Sequence, residues 1–137
     1  MKMENRNKIV VGIFAYLGLL ILIQLLSLST SLDEMPESCP QDSQNCDHRV
    51  IDLDVSDEAL DNAMKDWQSG LIFTSSFEQG HIVDRTLFMQ FPDDIFYENS
   101  DQGIILHSQS RLGKSDLGVN AARMDSLEEL LLANDWS

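Results

Sequence analysis

Apolar and polar positions divide the chain into three unlike stretches. From Ile9 to Leu26 the residues run IVVGIFAYLGLLILIQLL, apolar with Gln24 as the chief interruption. Residues 29–48 are polar and rich in Ser, Asp, Glu, Gln and Pro, the composition of a linker. From Arg49 onward, short alternating and helical patterns succeed one another. Each change of pattern predicts a different element, and the first predicts a membrane span. As a helix, Ile9 to Leu26 rises about 27 Å, close to the hydrocarbon thickness of a bilayer. A soluble core helix would carry a polar face, and this run has none.

A cleaved signal peptide is the competing reading. Its apolar region spans about 7–15 residues and ends at a small-x-small site. Here the run is longer, and the following SLSTSLDEMPES offers no clear site of that kind. Cys39, after Pro36, Glu37 and Ser38, lies too far on for lipoprotein acylation. We therefore expect a tail over residues 1–8, an uncleaved anchor over 9–28 with the lipid bilayer as its partner, a linker over 29–48 and a domain over 49–137. Lys2, Arg6 and Lys8 precede the span, and positive charge stays cytoplasmic. The expected topology is a single pass in a bacterial inner membrane, with the N-terminus cytoplasmic and the domain periplasmic.

The third stretch reads as alternating strands and helices. RVIDLDV sets Val50, Ile51, Leu53 and Val55 against Asp52 and Asp54, a half-buried strand. Ser56 is a suitable N-cap for DEALDNAMKDWQ, whose Ala59, Leu60, Ala63, Met64 and Trp67 fall on one helical face that Gly70 ends. LIFTSSFE and HIVDRTLFMQF read as strands joined at Gln79-Gly80. Phe91-Pro92-Asp93-Asp94 reads as the next break, because proline is a poor central-strand residue and Asp favours turns. IFYE should then pair with GIILHSQSR across residues 99–103. A last helix is predicted from about Ala121 to Asn134, with Asn120 as its cap and Met124, Leu127 and Leu131 on its stripe. The order β-α-β-β-β-β-α implies an α+β fold: an antiparallel sheet with both helices packed on one face.

Charge narrows the function. Beyond residue 28 there are 22 Asp and Glu against 6 Lys and Arg. That balance argues against nucleic acid, since binding phosphates needs clustered cations, and against docking on an anionic lipid surface. Cys39 and Cys46 sit in ESCPQDSQNCDH, where an oxidising compartment could close them into a disulfide; two free thiols are the alternative. With His48 as the nearby histidine, the pair is too few ligands for zinc.

Candidate chemistry is sparse. His48, His81 and His107 show no metal-binding spacing, and there is no nucleophile elbow, phosphate loop or dinucleotide glycine pattern. We expect no metal and no cofactor. His107, in the alternation ILHSQSR, reads as a residue on the polar face of a strand. Arg85, Arg111 and Arg123 stand out in so acidic a domain. They can pair bidentately with Asp93, Asp94 or Asp116. Alternatively, Arg111, Lys114 and the backbone N–H groups opening the last helix could form an anion pocket.

The segments TLFMQFPDDIFYE and HSQSRLGKSDLGVNAARMDSL resemble the family known as domain of unknown function 1499, found in bacteria and photosynthetic eukaryotes. The family's Phe-Pro-Asp-Asp element falls on Phe91, Pro92, Asp93 and Asp94. Its serine, glycine and arginine run falls on Ser108, Ser110, Arg111, Gly113, Ser115, Asp116, Leu117, Gly118, Asn120 and Arg123, and its cysteine element on Cys46. The resemblance spans roughly residues 38 to 134. Three positions depart from it: His107 replaces a frequent arginine, Asp47-His48 replace small residues, and Gln44 replaces a proline. The first would weaken an anion site.

Two functions are therefore carried forward. One is a membrane-anchored, non-enzymatic module outside the cytoplasm that binds an unknown protein or small ligand or serves the envelope. The other is an anion-binding protein or enzyme built on the cluster Asp93, Asp94, Arg111, Ser115, Asp116, Asn120 and Arg123. They differ in whether Arg111 faces a carboxylate within the fold or an open pocket.

Overall fold

The computed structural model describes residues 2–73, 76–113 and 117–136. Among these residues the elements in order are α1 (Met3–Leu28), β1 (Cys46–Ile51), α2 (Asp57–Ser69), β2 (Ser76–Glu78), β3 (His81–Arg85), β4 (Pro92–Ser100), β5 (Gly103–Ser110) and α3 (Val119–Ala133). The strands form one antiparallel sheet in the order β1-β5-β4-β3-β2. The fold is α+β, in the predicted element order.

Helix α1 is long and apolar enough to cross a membrane, and its flank is exposed along nearly its whole length. Only Ile23 and Ser27, near its C-terminal end, are buried. Helix α2 begins where the sequence places it: the Ser56 hydroxyl accepts a hydrogen bond from Ala59 N at 3.2 Å.

The core lies between one face of the sheet and α2 and α3. Leu60 and Met64 of α2 and Met124, Leu127 and Leu131 of α3 meet Ile51, Ile82, Ile95, Tyr97, Ile104 and Leu106. Full burial of such side chains is worth about 1.5–3 kcal/mol each. No residue of α1 belongs to this cluster.

Four boundaries differ from the sequence expectation. The first strand begins at Cys46 rather than Arg49, because the residues after the cysteine pair with β5: Cys46 lies opposite Gln109 and Asp47 opposite Ser108. The strand expected from Leu71 is regular only over Ser76–Glu78 among the described residues. HIVDRTLFMQF stops being a strand at Arg85. Thr86 N donates to Phe91 O and Gln90 N to Thr86 O, both at 3.1 Å, closing a turn in which Gln90 takes a φ of 54°. Finally, Pro92, Asp93 and Asp94 do not form a turn. They open β4, where proline occupies the first strand residue, a position that tolerates its missing N–H, and its carbonyl accepts from Arg111 N.

Gly103 closes the β4–β5 hairpin with a φ of +120°, and a Cβ there would lie 2.1 Å from the Ile51 carbonyl oxygen. Backbone cannot yield as a flexible side chain would. Gly103→Ala should destabilise the protein by at least about 2 kcal/mol. Thermal unfolding of the full chain in detergent checks this, and an unchanged midpoint contradicts it.

Candidate functional site

A strand presents successive side chains to opposite faces. Asp93 and Asp94, adjacent in β4, are therefore separated by the sheet, and each meets a different arginine. Register supplies the neighbours. Asp84, Asp93 and Ser110 lie in one row across β3, β4 and β5, on the face covered by the helices. Val83, Asp94, Gln109 and Cys46 form the next row, on the other face.

On the helix-covered face the organiser is Arg123 of α3. Its Nη2 donates to Asp93 Oδ2 at 2.8 Å and to Asp84 Oδ2 at 3.2 Å. Its Nη1 donates to Asn120 Oδ1 at 2.8 Å and to Ser108 Oγ at 3.1 Å. Asn120 is not the helix cap. Gly118, with a φ of 82°, stands there, and Asn120 is buried within the first turn. Its amide donates to Asn45 O and to Ser110 Oγ, each at 2.9 Å, and its oxygen accepts from the Ser108 hydroxyl. One side chain thereby ties together the linker, β5 and α3.

Burial pushes the Asp93 carboxyl above the ordinary carboxylate value, and Arg123 and the nearby Ser110 hydroxyl only partly oppose it. No hydrogen bond of good geometry reaches Asp93 Oδ1, although the atom is buried.

On the opposite face Arg111 closes on Asp94. Its Nε and Nη2 each donate to a carboxylate oxygen at 2.8 Å, a bidentate pair, while His81 Nε2 sits 2.7 Å from Oδ1. The Asp94 side chain is 0% exposed. Burial opposes its charge, yet the hydrogen bonds from Arg111 and His81 outweigh that and hold its carboxyl below the ordinary range. Hydrogen bonding to Asp94 raises Arg111 in turn, against the effect of burial.

Beside this pair a row of rings crosses four strands: His81, Phe96, His107 and His48. His81 stacks on Phe96 with ring centroids 4.2 Å apart. His107 does not face water, as its alternation suggested, but is fully buried. Its Nδ1 lies 2.9 Å from His48 Nδ1, its Nε2 3.0 Å from Gln109 Oε1 and 3.6 Å from Cys46 Sγ. Cys39 and Cys46 form the disulfide. Ligand-type atoms of these two cysteines and His107 lie within 4.8 Å of one another, but sulfurs bonded to each other supply no thiolate to a metal.

Burial lowers the pKa of His107, a tendency that Gln109, Asp47 and Asp94 oppose and His48 reinforces. The unfolded chain, with histidine near 6.5, then binds a proton that the folded chain refuses. Stability should rise with pH through the window below about 6.5, and His107→Gln should flatten that slope. Thermal midpoints of both proteins between acid and neutral pH test this; parallel curves count against it.

The structure places several of these residues differently from the sequence expectation. Arg85 pairs with no carboxylate among the described residues; it donates to Gln24 Oε1 of α1 and to Gln90 O. Asp93 and Asp94 are strand residues. Lys114, Ser115 and Asp116 lie outside the described residues. Asp84, Asn45 and His81 were not singled out as cluster members, since only the register makes them neighbours.

A family model described as Protein of unknown function (DUF1499) matches residues 28–131. The chain belongs to the DUF1499 family. No curated protein and no solved structure matches it. In this DUF1499 chain the residues of the resemblance divide between the two faces. Asp93, Ser108, Ser110, Asn120 and Arg123 form the network under the helices; Asp94 and Arg111 form the pair on the far side. Arg111 faces a carboxylate within the fold.

Proposed function

We propose that this DUF1499 protein is a membrane-anchored, non-enzymatic binding module, held by α1 and carrying its α+β domain outside the cytoplasm. The observation behind this reading is α1 itself. It is an apolar helix of 26 residues that contributes nothing to the domain core cluster and is exposed along most of its length. Such a surface is stable in hydrocarbon and costly in water. The disulfide fits an oxidising compartment, and the basic tail fits a cytoplasmic N-terminus. The non-enzymatic part rests on the arginines: the charges of Arg111 and Arg123 are taken up by Asp94, Asp93 and Asp84 rather than offered to a substrate. The polar cluster then acts as a scaffold joining linker, sheet and α3.

Topology is tested by reporters at the C-terminus in a bacterial host. A phosphatase fusion should be active and a fluorescent protein that matures only in the cytoplasm should stay dark. The membrane fraction should resist alkaline extraction. A bright cytoplasmic reporter, or release by alkali, would falsify the anchored reading.

A further inference from the structure

Beyond the start of α3 a cavity of about 320 Å³ opens between the β3–β4 turn and the end of β5. Phe91, Leu112, Leu117 and Val119 line it, and Asp93 and Ser110 are its two most buried members. The wall is apolar and the floor acidic. Its volume lies at the lower end of ligand sites, about 300–1,000 Å³. Asp93 is 1% exposed, and among the described residues no hydrogen bond of good geometry reaches its Oδ1, with the Ser110 hydroxyl the nearby donor. A buried acceptor in that state calls for a donor. The surrounding charge agrees: Asp84 and Asp93 share one arginine, Arg123, so the group carries an excess of negative charge.

The mouth of the cavity faces unusual surroundings. Leu117 has a φ of 56° and is 98% exposed, an apolar side chain held in a conformation unfavourable to leucine. In the adjoining turn Leu87 and Phe88 are 55% and 72% exposed. That turn rests on α1, where the Tyr16 hydroxyl donates to Phe88 O and the Gln24 amide donates to Gln90 O at 3.0 Å. Within the turn, Thr86 O and Leu87 O accept from the Gln90 amide at 3.2 and 2.9 Å. The contacts from Tyr16 and Gln24 seat the turn on α1, so on the anchored reading it lies against the span. Tyr16 lies near the middle of the run from Ile9 to Leu26 and Gln24 near its outer end, so the turn flanks the span from its middle outward.

We propose that this cavity binds a membrane amphiphile whose head is a hydrogen-bond donor, a hydroxyl or an ammonium, with the head at Asp93 and the apolar body between Phe91, Leu112, Leu117 and Val119. The inference rests on the anchored reading, because the ligand enters from the leaflet in which Leu87 and Phe88 are immersed. Amphiphiles with carboxylate heads are rejected, since a second anion beside Asp93 is repelled in a poorly solvated site. The upward shift of Asp93 agrees with a carboxylate short of donors.

The test uses the full chain in neutral phosphatidylcholine nanodiscs, with photoreactive medium-chain probes that differ only in their heads: alcohol, amine or carboxylic acid. Crosslinked peptides are mapped by mass spectrometry. The alcohol or the amine should label residues 86–91 or 110–119 by about tenfold or more over the acid. Val119 is not itself a member of the Arg123 network; Val119→Trp fills the cavity, so it should abolish that label and leave labelling of α1 intact, with an unchanged thermal midpoint showing that the network stands. Labelling confined to α1, equal labelling by the acid, or a label insensitive to Val119→Trp overturns the proposal. Cavity labelling with α1 left unlabelled would instead overturn the anchoring and preserve the site.

Discussion

Arg123→Ala should destabilise the protein by about 3–5 kcal/mol, the range for removing one partner of a buried ion pair. The guanidinium is 9% exposed on its side chain and serves two carboxylates, Asp93 at 1% and Asp84 at 13%. Its loss leaves two anions facing each other across β3 and β4, and strips Asn120 Oδ1 and Ser108 Oγ of a donor. In a small domain this lowers the thermal midpoint by roughly 12 °C or more. The pH dependence gives an independent check. Asp93 is already shifted upward, and without Arg123 the opposing charge is gone. A folded-state pKa raised above the unfolded value adds stability as pH falls, because the folded chain then holds the proton more tightly. The difference between variant and wild type should therefore shrink from pH 8 to pH 5. A uniform difference, or none, would show that Arg123 is not the counter-charge of Asp93.

Arg111→Ala is the second large effect, again about 3–5 kcal/mol. Asp94 is 0% exposed and, among the described residues, would retain His81, at 2.7 Å, as its side-chain partner. Here the shift has the opposite sign. A carboxyl held below its unfolded value contributes stability above the unfolded pKa and loses it as pH falls through the folded one. Removing Arg111 thus costs most at neutral pH and least in acid. Arg111→Lys keeps the charge but cannot make two parallel hydrogen bonds, so it should lose an intermediate amount, about 1–2 kcal/mol. Thermal unfolding of both variants in detergent decides the matter. An unperturbed midpoint for Arg111→Ala would mean that the arginine serves a ligand rather than the fold.

Both effects depend on a feature that local rules read differently. Proline followed by two aspartates is locally a turn, yet here proline starts a strand and each aspartate finds its own arginine. The real break lies at Thr86 to Gln90, within an apolar run that looks like strand. Its turn is closed by the Thr86 and Gln90 side chains and rests on Tyr16 and Gln24, more than 60 residues away in sequence. Asn120 illustrates the same limit. Asparagine before an apolar stripe suits a cap, but Gly118 takes the left-handed position and frees Asn120 to bridge Asn45, Ser108 and Ser110. The helices, by contrast, were readable because their signals are local: the Ser56 cap, the stripe of Leu60 and Met64, and the stripe of Met124, Leu127 and Leu131.

By itself, then, the sequence determined the elements whose causes lie within a few residues. These are the apolar N-terminal helix, the order of strands and helices, the helical core stripes, and the family signature in the SRLGKSDLGVNAAR segment. Tertiary structure alone decided which charges meet. The register of β3, β4 and β5 set Asp84 beside Asp93 and sent Asp94 to the other face, and the docking of α3 brought Arg123 to the first pair. The physical reason is that cluster geometry comes from strand pairing and helix packing over long sequence separations, whereas periodicity and capping act within a turn or two. The same long-range pairing left one oxygen of Asp93 buried beneath an apolar cavity, with no hydrogen bond of good geometry among the described residues.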